Sequence, residues 1–165
     1  MRGVRLVLAA MLVLVLALAV PACGFRLQGH TPLPPELRSP YIETQDRQSE
    51  FVQSLGHVLR ISGAHPVLDK DAATAILNIS RDQFVRRVLA VTANNQPTEY
   101  ELTYTIRVAV SSGGRELLPS QELSSTRAYS FDERLLLAKS HEEDVLRQDM
   151  ARDLADRVMR RLSHL

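Results

Sequence analysis

The clearest pattern in the chain is a strict alternation of apolar and polar residues between positions 99 and 110. The apolar side chains are Tyr100, Leu102, Tyr104, Ile106, Val108 and Val110, and the polar ones are Glu99, Glu101, Thr103, Thr105 and Arg107. A period of two predicts a strand with one face in the core and one face in water. The glycines of Ser111–Gly114 then predict a hairpin, which returns through a polar strand that ends near Phe131.

Two earlier strands are predicted on weaker patterns. Tyr41–Thr44 is short and rich in β-forming residues, and Leu77–Val91 is longer but loses its alternation between Arg81 and Val85. A loss of phase inside a strand indicates a bulge or a bend. The segment 93–97, which contains two asparagines and a proline, predicts a turn because asparagine tolerates positive φ and proline stops strand pairing.

Residues 47–62 form the first of two predicted helices, because their apolar residues recur at spacings of three and four. Asp46 or Ser49 can cap its start. Gly63 can end it, because glycine readily adopts the left-handed conformation found after a helix.

The second predicted helix lies at the end of the chain. Its apolar face consists of Leu146, Met150, Leu154, Val158 and Leu162. The spacing of Ser140 and Glu143 predicts a capping box at the start of this helix. Glu143 is also four residues before Arg147, a spacing that predicts an ion pair on the helix surface.

The order of these elements predicts the fold class. A strand–helix–strand unit favours a parallel pair with a right-handed crossover, and the three later strands form an antiparallel meander. Each helix has a single apolar face, so both helices are expected on the same side of the sheet. The sequence therefore predicts an α+β fold, a two-layer sandwich of a four-stranded mixed sheet with two helices packed on one face. The other face is expected to be polar and open.

The first 22 residues have the pattern of a secretory signal. Arg2 and Arg5 precede an apolar run from Leu6 to Val20, which is shorter than the roughly 20 residues that a membrane-spanning helix needs. A basic start, a short apolar run and a small residue before the cleavage point are typical of a signal peptide.

Cys23 is the only cysteine in the chain, so it has no partner for an intrachain disulfide. The surrounding residues Val20, Pro21, Ala22 and Gly24 resemble a bacterial lipobox. This resemblance implies a diacylglycerol on the thiol, cleavage before Cys23 and an acyl chain on the new amine. Gly24 implies, by the same resemblance, export to the outer membrane. An ordinary secretion signal followed by a free thiol is the alternative.

The mature chain is expected to contain one domain. Prolines between positions 31 and 35 favour an extended tether, so residues 23–39 are predicted to link the lipid to a domain that covers residues 40–165. The formal net charge is only +1, which gives no indication of nucleic-acid binding.

Catalytic and metal-binding patterns are missing from the sequence. It contains no G-x-S-x-G, H-E-x-x-H or C-x-x-C motif, and His57 and His65 are too scattered to suggest a metal site. His141 is a conceivable acid or base, but a place at a helix start explains it better. We therefore predict no catalytic residues, no metal and no cofactor beyond the lipid on Cys23.

Several segments together resemble the LptE (RlpB) family of lipopolysaccharide-assembly lipoproteins. The resemblance extends in order over residues 23–162 and rests on Cys23–Leu27, Glu99–Leu102, Arg127–Asp132, Leu137–Lys139 and Asp149–Leu162. It implies a subunit of the lipopolysaccharide translocon in the outer membrane. Such a subunit plugs the β-barrel protein LptD in a one-to-one complex, assists its assembly and helps insert lipopolysaccharide into the outer leaflet. The family's two helices on a four-stranded sheet agree with the fold predicted above.

The resemblance also implies candidate lipopolysaccharide contacts. Lys139 matches a family lysine to which a ligand contact is attributed, and an ammonium group there could pair with phosphate. A second basic residue of the family lies in the turn before the Glu99 strand, but residues 91–97 contain no lysine or arginine. Arg86 and Arg87 are the nearest substitutes.

Two other function classes make different predictions. A lipoprotein that binds or carries amphiphiles without a barrel partner would need an enclosed apolar pocket. A small hydrolase would need a compact catalytic set, which the sequence does not provide.

Overall fold

The computed structural model describes residues 33–132 and 136–165, and for residues 136–139 it describes the backbone alone. The strands are β1 (Pro40–Thr44), β2 (Ala75–Val91), β3 (Pro97–Ser112) and β4 (Arg115–Ser130), and the helices are α1 (Glu50–Ile61) and α2 (Leu136–Leu162). The sheet order is β1-β2-β3-β4, with β1 and β2 parallel and the other pairs antiparallel. Both helices cover one face of this mixed sheet, so the predicted α+β two-layer fold is confirmed.

The alternation along β3 gives the sheet one face that is buried under the helices and one face that is exposed to solvent. From Leu102 to Val110, every even-numbered side chain is at most 2% exposed. These residues share one continuous core with Phe51, Leu55 and Leu59 of α1 and with Met150, Leu154, Val158 and Leu162 of α2. The odd-numbered side chains of β3 lie on the face that neither helix covers.

Ser49 caps the start of α1, which decides between the two predicted caps. Its hydroxyl oxygen accepts a hydrogen bond from the Val52 amide at 3.1 Å and donates one to Asp82 Oδ2 at 2.5 Å. The Tyr104 hydroxyl accepts from the Phe51 amide at 3.3 Å. The first turn of α1 is therefore fastened to the sheet by polar groups as well as by the core.

One bulge in β2 lies at Arg81, where the predicted interval from Arg81 to Val85 begins. The register shifts between Ile79 and Arg81, pairing with β3 is then continuous from Arg81 to Val88, and two further shifts follow between Val88 and Val91. Asp82 occupies a position that faces the helices, where it is held by Ser49. A polar residue on the inner face broke the apolar pattern without breaking the strand.

The predicted capping box at Ser140 is wrong, because α2 already begins at Leu136. Residues 136–139 read Leu-Leu-Ala-Lys, and all of these are strong helix formers. Ser140 and Glu143 therefore lie inside the helix.

The predicted pair between Glu143 and Arg147 is also wrong. Arg147 Nη2 pairs with Asp144 at 3.2 Å and Arg147 Nε with Glu50 at 3.1 Å, while Glu143 pairs with Arg86 across the domain.

The packed part of the chain begins before Pro40. Leu37 is completely buried in the core, and Thr74 Oγ1 donates to the Glu36 carbonyl at 2.6 Å. The last residues of the predicted 23–39 tether are thus part of the folded body. The signal segment 1–22 and Cys23 lie outside the described residues.

Candidate ligand contacts and partner surfaces

The β2–β3 hairpin ends in a turn at which Asn95 adopts a φ of 61°. The Thr92 amide donates to the Gln96 carbonyl at 2.8 Å and closes the turn. The predicted turn is confirmed, and its asparagine takes the positive φ for which this residue type is suited.

Apolar side chains are exposed along the last residues of β2. Val85, Val88, Leu89 and Val91 are each between 45% and 50% exposed. The bulge at Leu89 adds to this exposure, because the extra residue has no partner in the ladder. We call these four residues the hairpin tip. It combines exposed apolar surface with the neighbouring Arg86 and Arg87.

Three aromatic rings lie behind the hairpin tip on the helix side of the sheet. Tyr100 stacks on Tyr129 with ring centroids 5.8 Å apart, and Phe131 meets Tyr100 edge-on at 5.1 Å. The Phe131 amide donates to the Thr98 carbonyl at 2.8 Å, which continues the β3–β4 pairing beyond the end of β4. Sequence reasoning assigned no site role to these residues, although the aromatic residues at even positions of β3 and near the end of β4 were visible.

Arg86 lies over this aromatic group and is neutralised by a carboxylate. Its guanidinium carbon is 4.8 Å from the Tyr100 ring centroid, and Nη1 is 2.9 Å from Glu143 Oε2. The same carboxylate oxygen accepts a hydrogen bond from the Tyr129 hydroxyl at 2.7 Å. The hydrogen bond to Glu143 raises the pKa of Arg86, while burial and the Glu143 carboxylate raise the pKa of Tyr129 to about 12.

Arg87 lies on the opposite face of the sheet. In the β2–β3 register Arg86 is opposite the buried Leu102, whereas Arg87 is opposite Glu101. Arg87 Nη2 pairs with Glu101 Oε1 at 2.7 Å, and the Arg87 side chain is largely exposed. The structure therefore puts on opposite faces the two arginines that were proposed as substitutes for the basic residue missing from the turn.

Lys139 is in the first turn of α2, and its side chain is outside the described part of the chain. Its backbone lies one helical turn before Glu143, which contacts Arg86. The structure therefore brings the start of α2 and Arg86 to the same end of the domain. Arg87 lies at the same end of the domain but on the face of the sheet that the helices do not cover.

The uncovered face of the sheet is largely polar, and several of its charged residues form ion pairs. Glu122 Oε2 accepts from Arg107 Nη2 at 2.7 Å and from Arg81 Nη1 at 3.3 Å. The hydrogen bond from Arg107 lowers the pKa of Glu122. Hydroxyl-bearing residues fill the space between the ion pairs, as the register shows for Thr103, Thr105, Ser124 and Thr126. We call this surface the open face.

Catalytic and metal sites receive no support from the residues that the structure describes. Among them no group of three histidine, aspartate or glutamate side chains could hold a metal ion. Four grooves that these residues form are partly open to solvent, whereas an amphiphile carrier would need an enclosed pocket. Across residues 33–132 and 136–165, neither helix is long and apolar enough to cross a membrane.

The family model described as LptE, lipopolysaccharide-assembly, matches residues 37–162, which is most of the chain. The chain belongs to the LptE family. The resemblance seen in the sequence is thereby confirmed.

Curated relatives within the LptE family cover nearly all of this chain. The LPS-assembly lipoprotein LptE of Yersinia enterocolitica is 32% identical over 157 residues, which represent 92% of this chain and 74% of the relative. The protein of the same name from Pectobacterium atrosepticum is 28% identical over 155 residues, or 92% of this chain and 83% of the relative.

Solved structures agree with the LptE-family fold. The rare lipoprotein B of Shewanella oneidensis aligns with a TM-score of 0.65 and 25% identity, covering 76% of this chain and 94% of that one. A lipoprotein B of Nitrosomonas europaea aligns with a TM-score of 0.67 and 26% identity, covering 85% and 90%.

Proposed function

We propose that this protein is a lipid-anchored subunit of the lipopolysaccharide translocon in the outer membrane. In this role it occupies the lumen of the β-barrel protein LptD in a one-to-one complex. It helps the barrel assemble and assists the insertion of lipopolysaccharide into the outer leaflet. The lipids on Cys23 hold the protein at the membrane, and its contribution is structural rather than catalytic.

The open face is the observation that carries this proposal. The interior of a large outer-membrane barrel is polar, so a plug must present hydrogen-bonding groups and few bare charges. The open face meets this requirement, since hydroxyl side chains alternate there with paired charges such as Arg107–Glu122 and Arg87–Glu101. The helices on the other side provide the rigidity that a plug needs, because they share one core with the sheet.

A pull-down of the full chain from detergent-solubilised outer membranes tests the partnership. The protein should be expressed at its native level, tagged at the C-terminus, and its partners identified by mass spectrometry. We expect one large β-barrel in a one-to-one ratio. Recovery of the lipoprotein alone, from cells with an intact translocon, would contradict the proposal.

Site-specific photo-crosslinking tests the surface. A photoreactive amino acid at Thr105, in the middle of the open face, should crosslink to the barrel. The matched control is Ser54 on α1, which lies outside the core and should give a much weaker crosslink. Equal crosslinking at both positions would show that the open face is not the main contact.

Arg86, Arg87 and Lys139 are proposed to contact the phosphates of lipopolysaccharide. Reversing the charge in Lys139→Glu, Arg86→Glu or Arg87→Glu should weaken binding of purified lipopolysaccharide to the lipid-free protein. Lys70→Glu is the matched control, because Lys70 is a paired surface lysine beside β1, where Glu43 holds it at 2.6 Å. If all four variants lose binding equally, the effect is one of overall charge and the proposed contacts are wrong.

A further inference from the structure

A groove runs along the β1 edge of the domain. This edge is opposite the β4 edge of the sheet, and the groove is separate from the open face. Its volume is about 430 Å³, and it lies between α1, β1 and the segment 66–68. Five of the nine residues that line it are apolar, namely Ile42, Val52, Pro66, Val67 and Leu68. Leu68 stands at the rim with 84% of its surface exposed, so part of the apolar lining has no cover within the described residues.

Gly56 keeps the floor of this groove open. It lies in the middle of α1 and is buried, a position where glycine is less favourable than alanine. A glycine inside a helix commonly allows another backbone to approach closely, but nothing does so here. A Cβ atom at this position would meet only Arg60 Nη1, at 3.5 Å. The missing side chain therefore leaves space in the groove and brings no compensating contact within the domain.

Two arginines border the groove without carboxylate partners. Arg47 donates from Nη2 to the Tyr41 hydroxyl at 2.7 Å, and Arg60 lies over Gly56, but neither forms an ion pair within residues 33–132 and 136–165. No acidic side chain lines the groove. Among the other arginines of residues 33–132 and 136–165, ion pairs are formed by Arg81, Arg86, Arg87, Arg107, Arg147, Arg152 and Arg157, whereas none is formed by Arg38, Arg127, Arg160 or Arg161. The groove therefore has an uncompensated positive charge.

The edge of the sheet favours a peptide as the occupant. β1 is an edge strand, and on its outer side a single residue pair, Tyr41 with Val67, continues the sheet among the described residues. The Val67 amide donates to the Pro40 carbonyl at 2.9 Å, and the strand then continues to Thr44 beside the groove. Exposed backbone groups on an edge strand can pair with an extended peptide, whereas a fatty acyl chain cannot use them.

We propose that this groove binds an extended segment of a partner protein in which an apolar side chain is flanked by acidic residues. The apolar side chain enters the groove beside Gly56 and Arg60 and contacts Val52. The flanking carboxylates pair with Arg47 and Arg60, which gives the groove its preference for acidic segments. The proposal does not use the open face or the hairpin tip, so it holds or fails independently of the role in the translocon.

Binding of a designed probe tests the proposal. The probe is a fluorescein-labelled heptapeptide with blocked ends, a central leucine and glutamate on both sides, and binding to the full folded domain is followed by anisotropy. Gly56→Leu, which fills the groove, and the double variant Arg47→Gln with Arg60→Gln should each weaken binding by about tenfold or more. Arg152→Gln removes a paired arginine from α2 and should leave binding unchanged.

The remaining outcomes are equally informative. The double variant changes only surface side chains, so it still tests the proposal if Gly56→Leu fails to fold. A probe with lysine in place of glutamate should not bind, and its binding would contradict the charge argument. Failure of the glutamate probe to bind, or equal binding by all variants, would overturn the proposal. So would tighter binding of dodecyl phosphate than of the peptide through the same two arginines, because the occupant would then be a lipid.

Discussion

Replacing Glu143 with glutamine tests how much the contacts of this carboxylate with Arg86 and Tyr129 stabilise the domain. A single oxygen of this carboxylate, Oε2, is 2.9 Å from Arg86 Nη1 and 2.7 Å from the Tyr129 hydroxyl. Glutamine has the same shape and keeps an acceptor for Tyr129. Glu143→Gln therefore removes the negative charge that faces Arg86 while leaving the aromatic packing in place.

The size of the effect follows from the two contacts and their exposure. A hydrogen bond to a charged group contributes about 1.5–3 kcal/mol, and a neutral one about 0.5–1.5 kcal/mol. Solvent reduces this difference, because the Arg86 side chain is 49% exposed although that of Glu143 is only 20% exposed. We expect Glu143→Gln to lower the free energy of unfolding by about 1 kcal/mol.

Urea unfolding of the lipid-free protein measures this loss, and a double-mutant cycle with Arg86→Met isolates the interaction between the two side chains. Asp149→Asn is the matched control, since it neutralises a carboxylate of the same helix whose pair with Arg152 is exposed on both sides. It should change the free energy of unfolding by less than about 0.5 kcal/mol. If Glu143→Gln behaves like the control and the cycle is additive, the reasoning about this pair is refuted.

The same variant has a second expected effect. Without Glu143 the Arg86 guanidinium remains charged and has lost its carboxylate partner. If Arg86 contacts phosphate groups, Glu143→Gln should therefore bind purified lipopolysaccharide more tightly than the wild type, although it is less stable. Weaker binding would indicate that Glu143 serves the ligand site in another way.

Three further predictions concern stability and the membrane. Gly56→Ala should raise the free energy of unfolding by about 0.5–1 kcal/mol in urea, because the new Cβ meets only Arg60 Nη1 at 3.5 Å; a loss of stability would show that the position is packed more closely. The pKa of Tyr129 is raised from 10 to about 12, so its contribution to stability is complete below pH 10 and is lost as pH rises through this interval. The melting temperature of Tyr129→Phe should fall less steeply than that of the wild type between pH 10 and 12. Parallel curves of melting temperature against pH would contradict this. Cys23→Ala should release the protein from washed membranes, as judged by immunoblotting, whereas retention would show that the lipid is not the anchor.

The sheet and both helices were predictable because their patterns depend on burial alone. From Leu102 to Val110, each apolar residue of β3 packs inward, and no tertiary contact alters that alternation. The parallel pairing of β1 with β2 follows from the connection through α1. These features are local in sequence or are imposed by chain handedness, so they can be inferred without coordinates.

Polar residues with long-range partners were the ones that sequence reasoning misplaced. Asp82 lies in the interval whose lost alternation predicted a bulge or a bend, but its carboxylate holds Ser49 at the start of α1, 33 residues away in the chain. Glu143 looked like a member of a capping box, but its partner is Arg86, 57 residues away. Local patterns cannot distinguish a polar residue that ends an element from one that joins two elements. Both residues turned out to connect a helix to β2.

The separation of Arg86 from Arg87 limits which ligand contacts can act together. Successive residues of a strand point to opposite faces, and the structure places Arg86 against Glu143 of α2 and Arg87 against Glu101 on the open face. A phosphate group held at the start of α2, where Lys139 lies in the sequence, is therefore on the same side as Arg86 and has the sheet between it and Arg87. Charge reversals at Arg86 and Lys139 should then be strongly non-additive in lipopolysaccharide binding. Charge reversals at Arg86 and Arg87 should instead have additive effects on lipopolysaccharide binding, because no single phosphate can contact both side chains.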